Sequence, residues 1–118
     1  MNDRTVNAIQ ESRQHWLENE RAEKVWDVCA KSKSCALCNV FYDKGTCRKC
    51  PIAIKFGRCG YTEGNPWRAT FNMLYAWRVA TSLSEEDQSI ARARFCEYAR
   101  EMRRAIESLL PEEKWDET

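Results

Sequence analysis

Cysteine placement constrains this chain more than any other feature. It reads Cys35-Ala-Leu-Cys38, eight residues, Cys47-Arg-Lys-Cys50, eight more, then Cys59. Two residues between cysteines let one tight turn aim both sulfurs at a single ion. Two such turns supply four thiolates at the corners of a tetrahedron, the geometry that suits zinc. A disulfide framework fits less well. The chain opens Met1-Asn2-Asp3-Arg4-Thr5-Val6 with no apolar run behind it, so no secretory signal is expected. Cytoplasmic thiols stay reduced, and an odd total of seven would leave one unpaired. Segment 34–60 is therefore expected to be a small zinc ribbon or knuckle, with at most two short strands such as 40–42. Asn39 after the first hook and Gly45 between the hooks suit tight reversals.

Four ligand positions meet five clustered cysteines. The default set is Cys35, Cys38, Cys47 and Cys50. In the rival set Cys59 replaces Cys47 or Cys50, and the repeated spacing of two and eight keeps that rival open. Pro51 bears weakly on the choice, since it removes a backbone donor that often supports the preceding sulfur. Cys29 and Cys96 stand in helical stretches without a paired cysteine and read as buried thiols. His15, beside Trp16, reads as a packed or surface residue rather than a ligand. Four cysteines would also hold an iron–sulfur cluster, but the spacing departs from the tight runs of bacterial ferredoxins, so zinc leads.

The rest of the chain has helical periodicity. With 118 residues, 43% of them hydrophobic, one domain over 1–118 is expected, with a real core. Charge divides it into three zones, of net −2 over 1–30, +7 over 31–80 and −4 over 81–118. A first helix is expected over 3–29, with Asp3 as N-cap and Val6, Ile9, Trp16, Leu17, Val25 and Val28 near one face. The pattern weakens near Glu23, which allows an earlier break. Asn65-Pro66 signals a second helix over 65–82. It carries Trp67, Phe71, Leu74 and Tyr75 as a stripe that Met73, Trp77 and Val79 widen, the pattern of a central core helix. Ser84-Glu85-Glu86-Asp87 opens a third over 84–110, with acids at the positive end of the dipole. Ala91, Phe95, Tyr98, Met102, Ala105 and Leu109 run down its face, and Pro111 stops it. The tail, polar apart from Trp115, is expected to fray. The fold class is mainly α, with a four-cysteine metal module between an N-terminal helix and two antiparallel C-terminal helices.

Catalysis finds no foothold in these residues. Catalytic zinc keeps a position open for water, and four or five thiolates leave none. There is no His-x-Glu or His-Glu-x-x-His pattern, and no βαβ context for a redox Cys-x-x-Cys. The chain is read as a non-enzyme. No stretch of about 18 apolar residues predicts a membrane span.

The central block resembles a group of small cysteine-rich proteins of bacteriophages and prophages, generally of unknown function. The shared features are His15-Trp16 in a leading helix, Cys35-Ala-Leu-Cys38, Cys47-x-x-Cys50-Pro51-Ile52, Gly57-x-Cys59 and a tail ending Leu109-Leu110-Pro111. The resemblance implies a bacterial cytoplasmic setting and groups Cys59 with the other four cysteines. It brings no catalytic residue.

Two functions compete. One is a protein-interaction module that binds a host or phage protein, with inhibition of a host defence protein as its sharpest form. Five Trp and many Arg supply the residue types enriched at interface hot spots, and Trp26, Trp77 and Trp115 are the ones whose exposure matters. The other is nucleic-acid binding through zone 31–61. There Lys31, Lys33, Lys44, Arg48, Lys49, Lys55 and Arg58 interleave with Phe41, Tyr42, Phe56 and Tyr61, a composition for phosphate contact and base stacking. Four thiolates and one Zn²⁺ carry −2, which offsets part of that positive charge. A homo-oligomer packed through the last helix is a third arrangement.

Overall fold

A computed structural model describes residues 1–30, 35–41, 45–57, 59 and 63–115. Helix α1 spans Asp3–Glu20, and its N-cap is Asn2 rather than Asp3, with the Asn2 side chain accepting from the Thr5 N–H at 2.9 Å. Asp3 instead sits in the first turn, where its charge suits the helix dipole. Thr5, Ala8, Ile9, Ser12, Trp16 and Asn19 form the buried face, at steps of three and four.

The expected continuation of α1 to residue 29 does not occur. Asn19, buried at the end of the helix, donates to the Cys29 carbonyl at 2.9 Å and accepts from the Cys29 N–H at 3.1 Å. His15 Nε2 reaches the same carbonyl at 2.6 Å. This clamp satisfies two backbone groups at once, so the chain reverses instead of extending the helix. A 3-10 turn at Val25–Asp27 follows, burying Val25 and leaving Trp26 exposed.

Three short elements occupy the middle: α2 (Ala36–Phe41), a 3-10 turn (Cys47–Lys49) and α3 (Pro51–Phe56). No strand occurs among the described residues, which show short helical elements here and not a zinc ribbon. Val40 and Phe41, expected in a strand, belong to α2, while Tyr42 lies outside the described residues. Leu37, two per cent exposed, anchors α2 in the core, so a helical rather than extended path buries this segment's apolar side.

Helices α4 (Pro66–Ala80) and α5 (Glu85–Glu107) are capped as their sequence signals promised. The Asn65 side chain accepts from the Trp67 N–H at 2.8 Å, and Ser84 accepts from the Asp87 N–H at 3.1 Å. The two helices pack together through a tilted Trp77–Phe95 ring contact at 5.5 Å, and the Thr70 hydroxyl reaches the Tyr98 carbonyl at 3.0 Å. Helix α5 also packs on α1, so it lies between the other two long helices. Ile9, Trp16, Leu74, Phe95 and Ile106 form the centre of the core.

Charge closes the α1–α5 seam. Glu20 bridges Arg103 at 2.7 Å and Arg100 at 2.9 Å, while Glu107 bridges Arg103 at 3.0 Å and Arg13 at 3.1 Å. The tail is better held than expected through residue 115. Trp115 Nε1 donates to the Glu107 carbonyl at 2.9 Å, and the Arg13 guanidinium lies over the Trp115 ring at 5.7 Å.

Helix α4 departs from the expected all-round burial. Thr70, Leu74, Trp77 and Ala80 are buried, whereas Phe71, Tyr75 and Val79 face outward. Tyr98 on α5 is likewise exposed, and Ala99 and Ile106 occupy the buried face beside Phe95 and Met102.

Candidate metal centre

Cys35 stands immediately before α2. The Cys38 N–H, one turn on, donates to its sulfur at 3.4 Å. Cys47 opens the central 3-10 turn, whose closing bond runs from the Cys50 N–H to the Cys47 carbonyl at 3.0 Å. Cys50 ends that turn and serves as the N-cap of α3, with Pro51 at the first helical position. Pro51 offers no N–H to the preceding sulfur, but the amides of Ile52 and Ala53 lie close enough to favour its thiolate, without closing a full cap bond. Gly57 ends α3 with φ of +84°, a conformation that favours glycine, and turns the chain toward Cys59. Asn65 fixes this turn from the far side, its amide donating to the Gly57 carbonyl at 2.6 Å.

The five thiols meet in one region. Cys38 feels the charges of Cys35, Cys59 and Cys50, and Cys59 feels those of Cys50, Cys35 and Cys47. Cys35 is the acidic member. The Cys38 thiol donates to it, and despite burial this holds Cys35 down at about 6. Cys38 is pushed well up in turn, because the same hydrogen bond needs its proton and burial penalises its charge. Burial first, then neighbouring sulfurs, raises Cys59 to about 12 and raises Cys50 as well. Ionisation is therefore favoured at Cys35, while Cys38, Cys50 and Cys59 resist it.

Ser12 is the component that sequence reasoning missed. It projects from the buried face of α1, one per cent exposed, toward the Cys35 sulfur, where its hydroxyl favours the thiolate. No hydrogen-bond partner at ordinary geometry satisfies that hydroxyl among the described residues. A signal existed: Ser12 falls in register between Ile9 and Trp16, where a polar residue on a buried stripe calls for a partner.

The donor set fits a soft, thiolate-preferring cation such as zinc. Such an ion would need four sulfurs drawn from these five residues, and the amide donor to Cys35 and the buried Ser12 hydroxyl behind it would be its outer support. As placed, no three His, Cys, Asp or Glu side chains among the described residues form a ready ligand group. The remaining two cysteines stand apart. Cys96 donates to the Glu20 carbonyl at 3.3 Å and is half-buried between α5 and α1, and Cys29 belongs to the Asn19 clamp. His15 is likewise committed to that clamp.

The basic set divides. Arg48 and Lys49 are exposed on the central turn. Lys55 instead donates to the Ser108 hydroxyl at 2.9 Å, at the end of α5. Phe41 and Phe56 are partly buried against the core, and the Lys55 ammonium lies over the Phe56 ring at 5.6 Å. Lys31, Lys33, Tyr42, Lys44, Arg58 and Tyr61 lie outside the described residues. Of the tryptophans, Trp16 and Trp77 are buried, Trp67 and Trp115 are partly buried against the core, and Trp26 is 74% exposed.

No family model, no curated protein and no solved structure matches the chain.

Proposed function

We propose that this chain is a non-enzymatic zinc-binding protein-interaction module of the bacteriophage type, acting in the bacterial cytoplasm on a host or phage protein. The observation that carries the metal assignment is the meeting of Cys35, Cys38, Cys47, Cys50 and Cys59 within electrostatic reach of one another, on or beside three successive short helical elements. The cation's part is structural. Four thiolates would fill a tetrahedral shell and neutralise sulfurs that otherwise resist ionisation in a buried setting. Cys35 and Cys38 belong to either version of the set, completed by Cys47 and Cys50 or with Cys59 in place of one of those two.

A module of this kind acts by presenting surfaces, and the helical body presents aromatic ones. The host defence machinery is the class of partner implied by the phage resemblance. The competing nucleic-acid reading retains Arg48 and Lys49 as exposed cations, while its aromatic partners Phe41 and Phe56 are partly buried against the core.

Elemental analysis of the purified full chain tests the metal, with absorbance and nucleic-acid content read on the same sample. One zinc per chain and no colour are expected. Iron with a brown chromophore would replace the zinc assignment with a cluster, and metal-free protein would overturn the site. Serine substitution at Cys35 or Cys38 is expected to release the metal, whereas Cys96→Ser leaves it bound. Capture from host lysate tests the partner class. Binding that persists in high salt supports a protein partner, while steep salt dependence and co-purified nucleic acid support the alternative.

A further inference from the structure

We propose that the outward face of α4 is a docking surface for an amphipathic helix of a partner protein, one carrying acidic side chains at both ends of its apolar row. This rests on the reading of the chain as an interaction module and gives that module its surface and its partner chemistry.

Phe71, Tyr75 and Val79 recur every fourth residue, so they line one side of α4 opposite the buried Leu74 and Trp77. They are 38, 62 and 51% exposed, and Leu83 extends the apolar character into the following turn. Trp67 stacks on Phe71 at 5.2 Å with 17° between the rings, which stiffens the first aromatic before any partner arrives. A row of this kind along one helix matches the groove-and-ridge contact of a second helix better than it matches a nucleic-acid strand, because two of its members are aliphatic.

Charge identifies the partner. Arg68 and Arg78 share this side of α4, one a turn before Phe71 and the other beside Val79, ten residues or about 15 Å apart along the axis. Neither forms an ion pair among the described residues, in contrast to Arg13, Arg100, Arg103 and Arg104, each of which meets a glutamate. The stretch 66–83 contains no Asp or Glu. A second copy of this chain, laid antiparallel through Tyr75, would place Asn72 opposite Arg78 and the end of its α4 near Arg68, supplying no carboxylate from that helix to either. A partner helix with carboxylates at each end of an apolar stripe satisfies both arginines and covers the row between them.

The test uses the full-length protein and a surface-displayed library of random amphipathic helices. Selection is expected to enrich helices with Asp or Glu about three turns apart around an apolar stripe. Tyr75→Ala is expected to weaken their binding about tenfold or more, as for a central aromatic anchor. Arg78→Glu is expected to reject them and to accept versions with Lys in place of the acids. Both substituted side chains are exposed, and circular dichroism confirms that the variants keep their helices. Any of these outcomes overturns the proposal: no helix whose binding depends on Tyr75; enrichment of neutral or basic helices; Tyr75-dependent binding of oligo-dT; or concentration-dependent self-association abolished by Tyr75→Ala. If a lysate partner binds Tyr75→Ala as tightly as wild type, this face is wrong while the interaction module stands.

Discussion

Asn19 holds more of the architecture than its size suggests. Its side chain closes both backbone groups of Cys29, and in doing so it ends α1 and directs the chain toward the thiol cluster. Asn19→Ala leaves those buried groups unpaired, so a loss of about 2 kcal/mol is expected in a urea titration. Ser12 has the opposite profile. Its hydroxyl is buried without a partner of ordinary geometry, so Ser12→Ala is expected to change stability by less than about 1 kcal/mol. It also faces the Cys35 sulfur, so the same variant is expected to lose metal about tenfold more readily to a competing chelator. Stability and metal retention measured on one sample separate the two roles. Neither residue announced its role in the sequence, because a polar side chain on an apolar stripe shows that a partner is needed without showing which one.

At the scale of elements, the α1–α5 seam ties stability to pH. Burial raises the Glu20 carboxyl, but the hydrogen bonds and charges of Arg103 and Arg100 outweigh it and hold the group below the usual carboxylate range. Its folded value is therefore lower than its unfolded one. The contribution is complete above the ordinary glutamate value of about 4.3 and is lost as pH falls from there through the folded value. Glu20→Gln is expected to cost about 1 kcal/mol at pH 7 and to flatten the acid limb of the stability curve, as read from urea midpoints across pH. The helix starts at Asn65 and Ser84 were legible because caps act through the next three residues. The end of α1 was not, because a residue ten positions on terminates it.

Across the whole molecule, three long helices share one core, and the cysteine-bearing segment sits on it through Leu37, Cys50 and Ile52. Chelation is therefore expected to loosen 35–59 while much of the helical signal from α1, α4 and α5 persists. Hydrogen exchange should show the loss confined to α2, α3 and the turn between them, and global unfolding by chelator would show that the metal holds the core itself.

Local chemistry decided what the sequence alone determined: the helical class, the caps of α4 and α5, the acidic first turn of α5, and the grouping of five cysteines apart from Cys29 and Cys96. Each depends on residues a few positions apart. Tertiary structure decided the rest. Trp77 and Tyr75 are both large and apolar-bodied, two residues apart on one helix, yet one packs on Phe95 and the other faces outward. Periodicity shows that a stripe exists, but only the position of α5 selects which side of α4 it covers. The same holds for the thiols: spacing brings Cys35 beside Cys38, whereas the packing of α1 against α2 sets Ser12 behind them.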